Sequence, residues 1–369
     1  MEHTPYKLTR QQEDYQHQRA TASTNPLNRM KKKVYSPDKP VAAWTSTDRL
    51  PDGVIPSLTM ILRTHGCYRS RAGKECTMCG FARDSATVPP SHDELVAQFS
   101  DALSRRPAGK FMVKIFTSGS FLDASEVPLE VRSVILEGLE SDSDVSKVLI
   151  ETRPEFVTEG RVASCKESIR KDFEIAIGVE TSSDEIRDLC INKGFLFEDF
   201  IHASEIAHRH DATVKAYLLL KPPFLSEGVA MRDMVRSVHD VSGYAEAVSI
   251  NLCNVQRGTF VAKLQRRGEY RPPWLWSAIA VLGDAKRENP DLIITSDPVG
   301  AGSRYGPHNC GRCDRDAASA INRFSLTQDI SDLENPEITC DCMHLWQKAV
   351  ELEDVTYGAP LARRVKARP

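Results

Sequence analysis

The stretch SLTMILRTHGCYRSRAGKECTMCG, residues 57–80, decides the fold, because a short apolar run leads directly into a loop that carries three cysteines. The run SLTMILR has the length and composition of a buried strand. Cys67, Cys76 and Cys79 follow it in the pattern C-x8-C-x2-C. Cysteines at such short spacings are typical of metal ligands. The sequence therefore predicts a metal site at the end of a strand.

Five further apolar runs of strand length follow along the chain, and amphipathic stretches separate them. The runs are KFMVKIFT (110–117), KVLIE (147–151), FEIAIGVE (173–180), TVKAYLLL (213–220) and AVSINL (247–252). Six strand–helix units predict parallel strands joined by right-handed crossovers. They are too few for a closed eight-stranded barrel, so a partial (β/α)6 barrel and an open α/β sheet both satisfy the pattern. In either fold the chemistry belongs at the C-terminal ends of the strands, where the three cysteines lie.

The 369 residues divide into three predicted parts. Residues 1–50 are polar and interrupted by prolines, and we expect an N-terminal extension with weak structure of its own. Residues 51–290 carry the strand–helix units, and residues 291–369 form a C-terminal Cys-rich module. At the start of the first amphipathic helix, Ser91 and Glu94 predict a capping box.

Composition and charge limit the classes of function. The chain is 41% hydrophobic and 27% charged, which is ordinary for a globular protein, and its formal net charge is −3. No apolar run is long enough to span a bilayer, and the N-terminus lacks the apolar core of a signal peptide. We therefore expect a cytoplasmic protein with no membrane contact. Basic stretches at 28–35, at 264–271 and in the tail LARRVKARP are interpreted as solvated surface.

Three cysteines are one fewer than a closed metal site needs. A structural zinc ion takes four ligands, whereas a 4Fe–4S cluster held by three cysteines leaves one iron open to the amine and carboxylate of a small molecule. The close C-x2-C pair is typical of cluster ligation. The alternative is a zinc knuckle with His65 as a fourth ligand. We favour the cluster, because the loop directly follows a predicted strand.

A second cysteine group lies near the C-terminus, in the motifs PHNCGRCD and TCDCMH. Its members are Cys310, Cys313, Cys340 and Cys342. Four thiolates in two close pairs predict a structural zinc site, with His308 and His344 as substitute ligands. A second iron–sulfur cluster is the competing interpretation.

Two other sets of residues are interpreted as packing. Cys165, Cys190 and Cys253 stand alone in the sequence, and we expect small buried core side chains there. Trp274 and Trp276 in PPWLWS are predicted to pack the C-terminal module on the barrel rather than to stack on bases.

The cysteine loop resembles that of the radical S-adenosylmethionine (SAM) superfamily. The usual spacing in that superfamily is C-x3-C-x2-C, and the longer first gap here is similar to the Elp-like branch of tRNA-modifying enzymes. The resemblance implies a partial (β/α)6 radical SAM barrel with a C-terminal Cys-rich metal-binding module. It also implies a 4Fe–4S cluster on Cys67, Cys76 and Cys79, with SAM bound to the cluster and an electron donor to reduce it.

The resemblance also implies contacts to SAM at the ends of the next three strands. The TSGS turn corresponds to the Gly-rich turn that receives the SAM amino group. ETRPE supplies an arginine suited to the SAM carboxylate, and IGVETSSD corresponds to the segment near ribose and adenine. An ordinary turn and a surface ion pair are the alternatives for the first two motifs. The residues concerned are Thr117, Ser118, Gly119, Ser120, Glu151, Arg153, Glu180 and Ser182.

A narrower resemblance rests on several irregular motifs that occur together in order. They are ILRTHGC…CTMCGF, IFTSGSFLD, ETRPEF, VQRGTF, PPWLWS and GPHNCGRCD. Together they are similar to the archaeosine-forming radical SAM lyases, over roughly residues 41–345. In that family the partner, archaeosine synthase, attaches lysine to a 7-cyano-7-deazaguanine base in the D-arm of tRNA. The lyase then breaks the lysine C–N bond and leaves archaeosine.

Two other functions satisfy the same sequence. One is radical SAM modification of another tRNA base. The other is a non-catalytic, zinc-binding, RNA-associated subunit in which both cysteine groups hold zinc. Colour separates the last from the others, because an iron–sulfur protein is brown and a zinc protein is colourless.

Overall fold

One eight-stranded sheet forms the core, and its strands lie side by side in their order along the chain. The computed structural model describes residues 35–334 and 340–353. The first two strands pair antiparallel, and every later pair is parallel. The strands are β1 (Ala42–Leu50), β2 (Gly53–Ile61), β3 (Phe111–Phe116), β4 (Val145–Thr152), β5 (Asp172–Glu180), β6 (Thr213–Leu220), β7 (Ala247–Leu252) and β8 (Ile293–Thr295).

Helices cover one face of this sheet, and side chains such as Val113, Ile150 and Ile177 are fully buried beneath them. In the described ranges, no helix is long and apolar enough to cross a membrane. The helices are α1 (Tyr68–Arg71), α2 (His92–Leu103), α3 (Leu129–Ser141), α4 (Glu159–Ser168), α5 (Asp184–Ile186, continued by a π-helical turn, Arg187–Ile191), α6 (Phe197–Arg209), α7 (Glu227–Val241), α8 (Phe260–Arg267), α9 (Leu275–Glu288), α10 (Asp314–Thr327) and α11 (Cys342–Leu352).

The sheet curls strongly, so that its other face encloses a lumen. The rings of Phe116 on β3 and Tyr217 on β6 have centroids 6.4 Å apart, although two strands lie between them. Lys114 on β3 forms an ion pair with Asp48 on β1 (Nζ–Oδ2 2.5 Å) past the intervening β2. Only a curled sheet brings side chains of separated strands together in this way. The predicted partial barrel is therefore confirmed, and an open sheet is excluded.

The six predicted strands correspond to β2–β7, and the capping box of α2 is present. The Ser91 side chain accepts a hydrogen bond from the Glu94 amide, and the Glu94 carboxylate accepts one from the Ser91 amide. Local sequence thus determined the repeating part of the fold.

Both edge strands lie outside the predicted set. Weak structure was expected throughout residues 1–50, and this expectation is wrong for Ala42–Leu50, which form β1. The sequence AAWTSTDRL is polar because this edge strand pairs with β2 on one side and stays partly exposed. With three residues, β8 is too short to recognise, and it lies in the segment assigned to the C-terminal module. Residues 1–34 lie outside the described ranges, and the three-part division stays a prediction.

Candidate metal and cofactor site

The three clustered cysteines lie on the loop after β2, at the end where the parallel strands finish. Each is partly accessible. Burial raises the pKa of the Cys76 thiol and raises the pKa of Cys79 to about 12. The charge of Cys67 acts on both, which places the three thiols near one another. Thiols that resist ionisation are poor nucleophiles but become thiolates on binding a metal. What suits this loop to a metal centre is the gathering of three thiols at one edge of the sheet, since thiolates are ligands that iron–sulfur clusters and zinc both take.

Two cations lie beside the cysteines. Lys193 and Arg153 both favour the thiolate of Cys76 electrostatically. Lys193 pairs with Glu180 (Nζ–Oε1 2.5 Å), and Arg153 donates a hydrogen bond from Nη2 to the Lys193 carbonyl (2.7 Å). The structure thus brings Arg153 and Glu180, two of the predicted SAM contacts, to the cysteine loop. Sequence reasoning missed Lys193, which has no motif of its own.

The TSGS turn packs directly on Cys67. A Cβ atom added to Gly119 would lie 2.7 Å from the Cys67 Cα, and closer still to the carboxylate of Glu126. Glycine is therefore required where the second loop approaches the first. The Ser120 hydroxyl accepts a hydrogen bond from the Arg153 amide (3.0 Å), which ties the turn to the end of β4. This close cradle suits the predicted cluster and its small-molecule ligand.

Glu126 joins the two loops and was not predicted. Thr64 donates a hydrogen bond from Oγ1 to Glu126 Oε2 (2.5 Å), and the Ser120 amide donates one to Oε1 (2.9 Å). Burial raises the pKa of this carboxyl to about 7. Glu126 is a positioning residue, because it holds the cysteine loop against the TSGS turn. Glu126 is the first residue of EVPLEV, and nothing in this short segment of sequence indicates that its carboxylate contacts two loops.

The cysteine loop is also fastened to the segment after α5. Asn192 adopts a left-handed backbone conformation (φ 62°), and its side-chain amide donates a hydrogen bond to the Glu75 carbonyl (2.9 Å). Arg69 donates a hydrogen bond to the Asn192 carbonyl (3.0 Å), and the Thr77 amide donates one to the Ile191 carbonyl (2.9 Å). The loop between Cys67 and Cys79 is therefore held on both sides before any cofactor binds.

The remaining predicted SAM residues have different surroundings. Ser182 donates a hydrogen bond to Asp240 Oδ2 (2.6 Å), and its amide donates one to Ser237 Oγ (2.9 Å), so it contacts helix α7 behind the sheet. Thr117 is buried in the turn, where its hydroxyl accepts from the Gly119 amide (3.1 Å). Two others complete the set: Ser118, buried in the same turn, and Glu151, which faces the lumen from the end of β4.

The structure brings the four C-terminal cysteines together, with all their sulfur atoms within 4.8 Å of one another. Three of the Sγ–Sγ distances are 4.0 Å (Cys310–Cys313), 3.6 Å (Cys310–Cys340) and 3.5 Å (Cys313–Cys342). A tetrahedral zinc ion with Zn–S bonds of about 2.3 Å holds neighbouring sulfurs about 3.8 Å apart. The four thiols therefore suit one zinc ion, and neither His308 nor His344 belongs to this group.

The sulfur atoms of Cys67, Cys76 and Cys79 are further apart than those of the C-terminal group. In residues 35–334 and 340–353, the four C-terminal cysteines are the one group of three or more His, Cys, Asp or Glu residues whose ligand atoms all lie within 4.8 Å of one another. Cys67, Cys76 and Cys79 are thus more widely spaced than the ligands of a single ion. A cluster distributes its thiolates over separate iron atoms, so this wider spacing favours a cluster over a zinc knuckle with His65.

Two tryptophans attach the C-terminal module to the barrel, as predicted. Trp274 and Trp276 are both nearly fully buried, in one apolar cluster with Cys313 and Cys342. The Trp276 indole donates a hydrogen bond from Nε1 to the Cys342 sulfur (3.3 Å). These rings are therefore packing residues and are not available to stack on bases.

We expect the Gly119→Ala variant to bind SAM more weakly, because the added methyl group would force the TSGS turn away from Cys67. The matched control is Gly160→Ala in α4, where an added Cβ meets no atom within 4 Å. Titration of the reconstituted proteins with SAM should give at least a tenfold weaker Kd for the first variant and an unchanged Kd for the second. Equal affinities would show that the close approach of the two loops is not needed for SAM.

These features define the class as an α/β half-barrel that carries three cysteines at the C-terminal edge of its parallel strands and a group of four cysteines near its C-terminus. The chain is 50% identical over 335 residues to archaeosine synthase subunit beta from Methanosarcina acetivorans, covering 90% of this chain and 96% of the relative. It is 44% identical over 312 residues to the protein of the same name from Thermococcus kodakarensis, covering 84% and 96%. The chain belongs to the archaeosine synthase subunit beta family.

Similarity to solved structures is weaker. The Elp3 protein of the archaeon Methanocaldococcus infernus, solved with an N-terminal deletion, has a TM-score of 0.45 and 20% sequence identity. That match covers 58% of this chain and 55% of the other. No protein-family model matches the sequence.

Proposed function

We propose that this protein is a radical SAM enzyme of tRNA modification, which cleaves the lysine C–N bond of a lysine–deazaguanine adduct in the D-arm and leaves archaeosine. The observation that carries the proposal is the loop of Cys67, Cys76 and Cys79 at the C-terminal edge of a curled parallel sheet, with the TSGS turn packed against it. The names of the two relatives, both archaeosine synthase beta subunits, support archaeosine as the product.

The three thiols would hold a 4Fe–4S cluster and leave one iron open for SAM. When bound and reduced, the cluster and SAM together supply a 5′-deoxyadenosyl radical, which can take hydrogen from an unactivated C–H bond. Arg153 would bind the SAM carboxylate through its guanidinium, and Gly119 lets the backbone approach the SAM amino group. Glu180, oriented by Lys193, would contact the ribose.

In the substrate, the carbon of the lysine arm next to the C–N bond would give its hydrogen atom to the 5′-deoxyadenosyl radical, which becomes 5′-deoxyadenosine. Homolysis of the C–N bond would then form a C=C bond in the released arm and leave the unpaired electron on the nitrogen of the base. One electron from the donor that reduces the cluster, together with a proton, would complete the amidine. The lumen would keep water and other hydrogen donors from the reacting carbon, because a radical in an open site is quenched.

The relatives are named as subunits, and we propose that this chain also works with a partner, an archaeosine synthase subunit that makes the lysine adduct. A separate electron donor would reduce the cluster. Arg266 and Arg267 at the end of α8 could contact the tRNA backbone. With a net charge of −3, the chain should bind free tRNA weakly, because such affinity comes from neutralised phosphates.

Anaerobic incubation of adduct-bearing tRNA with SAM, a reductant and the reconstituted protein should yield archaeosine together with 5′-deoxyadenosine, both measured by mass spectrometry. Transfer RNA that carries the cyano base without lysine is the matched control, and it should give no archaeosine. If 5′-deoxyadenosine forms while the adduct stays intact, the radical chemistry is right and the substrate is wrong. A colourless protein without iron would contradict both the radical chemistry and the proposed substrate, and it would favour a non-catalytic zinc-binding subunit.

A further inference from the structure

A layer of charged side chains crosses the lumen of the curled sheet. Lys114 pairs with Asp48 (2.5 Å), and Lys147 pairs with Glu174 (2.7 Å). Each of these two lysines therefore has a carboxylate partner inside the barrel. Because paired charges satisfy each other, neither lysine calls for a ligand.

Lys215 on β6 is a third lysine in the same layer. Burial lowers the pKa of Lys215, while the charges of Glu174 and Asp48 raise it, so its ammonium lies near both carboxylates. Within the described part of the chain, however, no acceptor lies at hydrogen-bond distance from this ammonium. Asp297 also lies near Lys114 and Asp48, but among the three lysines Lys215 is the one that hydrogen-bonds no carboxylate of the described residues. An unpaired charge inside a protein is unfavourable unless a ligand of opposite charge binds it.

Two further polar groups of the lumen have no hydrogen-bond partner among the described residues. They are the Tyr217 phenol, two residues beyond Lys215 on β6, and the Glu151 carboxyl at the end of β4. Burial and the charge of Glu151 raise the pKa of Tyr217, so the two side chains are neighbours.

The solvent exposure of successive residues on β6 shows which way Lys215 and Tyr217 point. Ala216 and Leu218 point toward the helices and are 0% exposed, whereas Lys215 and Tyr217 on the inner side are partly accessible. Lys215, Tyr217 and Glu151 therefore border open space inside the barrel. Together they present a cation, a hydroxyl and a carboxyl, which complement the carboxylate and ammonium of an α-amino acid.

The shape of the proposed substrate explains why the α-amino acid end of its lysine arm should reach Lys215, Tyr217 and Glu151 inside the barrel. In a lysine adduct the base and the scissile C–N bond are at one end of the arm, and the α-amino acid is at the other. When the base stays at the mouth and the arm passes the cysteine loop, the amino acid end must lie further inside.

We propose that the lumen binds the α-amino acid end of the lysine arm, with Lys215 and Tyr217 on its carboxylate and Glu151 on its α-ammonium. This inference rests on the proposed function, and it assigns Glu151 to the substrate rather than to SAM. A site that pairs its polar groups with a charged group of the substrate discriminates strongly against an analogue without that charged group. With the analogue bound, the polar groups of the site are left unpaired.

The test compares two tRNA adducts, one made with lysine and one with cadaverine, which is lysine without its carboxylate. With wild-type protein, kcat/KM for archaeosine formation should be about 10- to 100-fold lower for the cadaverine adduct, the range expected when a charged hydrogen bond is lost. Lys215→Met should show a similar loss with the lysine adduct and no further loss with the cadaverine adduct. Lys215→Arg should recover part of the preference for lysine.

Lys147→Met is the matched control, because it removes a lysine of the same layer that already has a partner. It should lower thermal stability and leave the preference between the adducts as in the wild type. If Lys215→Met does not fold, Tyr217→Phe tests the same site, and it should reduce the preference by several-fold. An unchanged preference in the Lys215 and Tyr217 variants would overturn the inference alone. Archaeosine from neither adduct with wild-type protein would overturn the proposed function and the inference together.

Discussion

We expect the Cys67→Ala variant to hold no intact 4Fe–4S cluster after anaerobic reconstitution and to form no 5′-deoxyadenosine. Cys67 lies where the cysteine loop meets the TSGS turn, and a cluster with three protein ligands has none to spare. The visible absorption band and the iron content should fall to background. Cleavage of SAM should fall below detection, because no reduced cluster is present to supply the electron.

Cys165→Ala is the matched control for this variant. Cys165 is a buried, isolated thiol in α4, and its replacement removes one sulfur atom without touching the cysteine loop. Its iron content and SAM cleavage should equal those of the wild type. Full iron content and full SAM cleavage in Cys67→Ala would remove Cys67 from the ligand set.

The second large effect is expected from Cys342→Ala, which should lose its zinc ion and unfold the C-terminal module. Structural zinc sites contribute about 10–16 kcal/mol of apparent binding free energy, and this energy is folding energy. Cys342 also begins helix α11 and accepts the hydrogen bond of the Trp276 indole. We expect wild-type protein to contain one zinc ion per chain and the variant to contain none, with a clearly lower Tm.

The effect of zinc loss should extend to the barrel. Glu353, which caps α11, accepts a hydrogen bond from the Glu227 amide (3.0 Å) and lies 3.9 Å from the Lys221 ammonium at the end of β6. Cys165→Ala again serves as the control and should keep its zinc. If metal analysis of Cys67→Ala finds iron and sulfide but no zinc, the C-terminal cysteines hold a second cluster instead.

Local patterns predicted much of the fold. The six apolar runs became β2–β7 because the face of each strand beneath the helices is apolar, and the lumen face adds further apolar residues such as Met112, Leu149 and Ala176. The charged residues on the lumen face interrupt these runs only at single positions. The capping box of Ser91 and Glu94 formed because both partners lie within one helical turn. The four C-terminal cysteines could be grouped because two close pairs leave few other arrangements.

The contacts that position the site could not be predicted. Glu126 bonds Thr64 across 62 residues of sequence, and Asn192 bonds Glu75 across 117. Each is a single polar residue whose role depends on tertiary approach, and no periodicity reveals it. The missing hydrogen-bond partner of Lys215 is equally hidden, since it is seen only when β1 and β3–β6 curl together and their lysines and carboxylates are matched.

The proposed reaction is tested most directly by following hydrogen from the substrate. The adduct is prepared on tRNA with lysine deuterated along its side chain and is incubated anaerobically with SAM, a reductant and wild-type protein. We predict archaeosine together with 5′-deoxyadenosine that is one mass unit heavier, because the hydrogen atom comes from the lysine arm. Archaeosine accompanied by unlabelled 5′-deoxyadenosine, or heavy 5′-deoxyadenosine without archaeosine, would contradict the proposal.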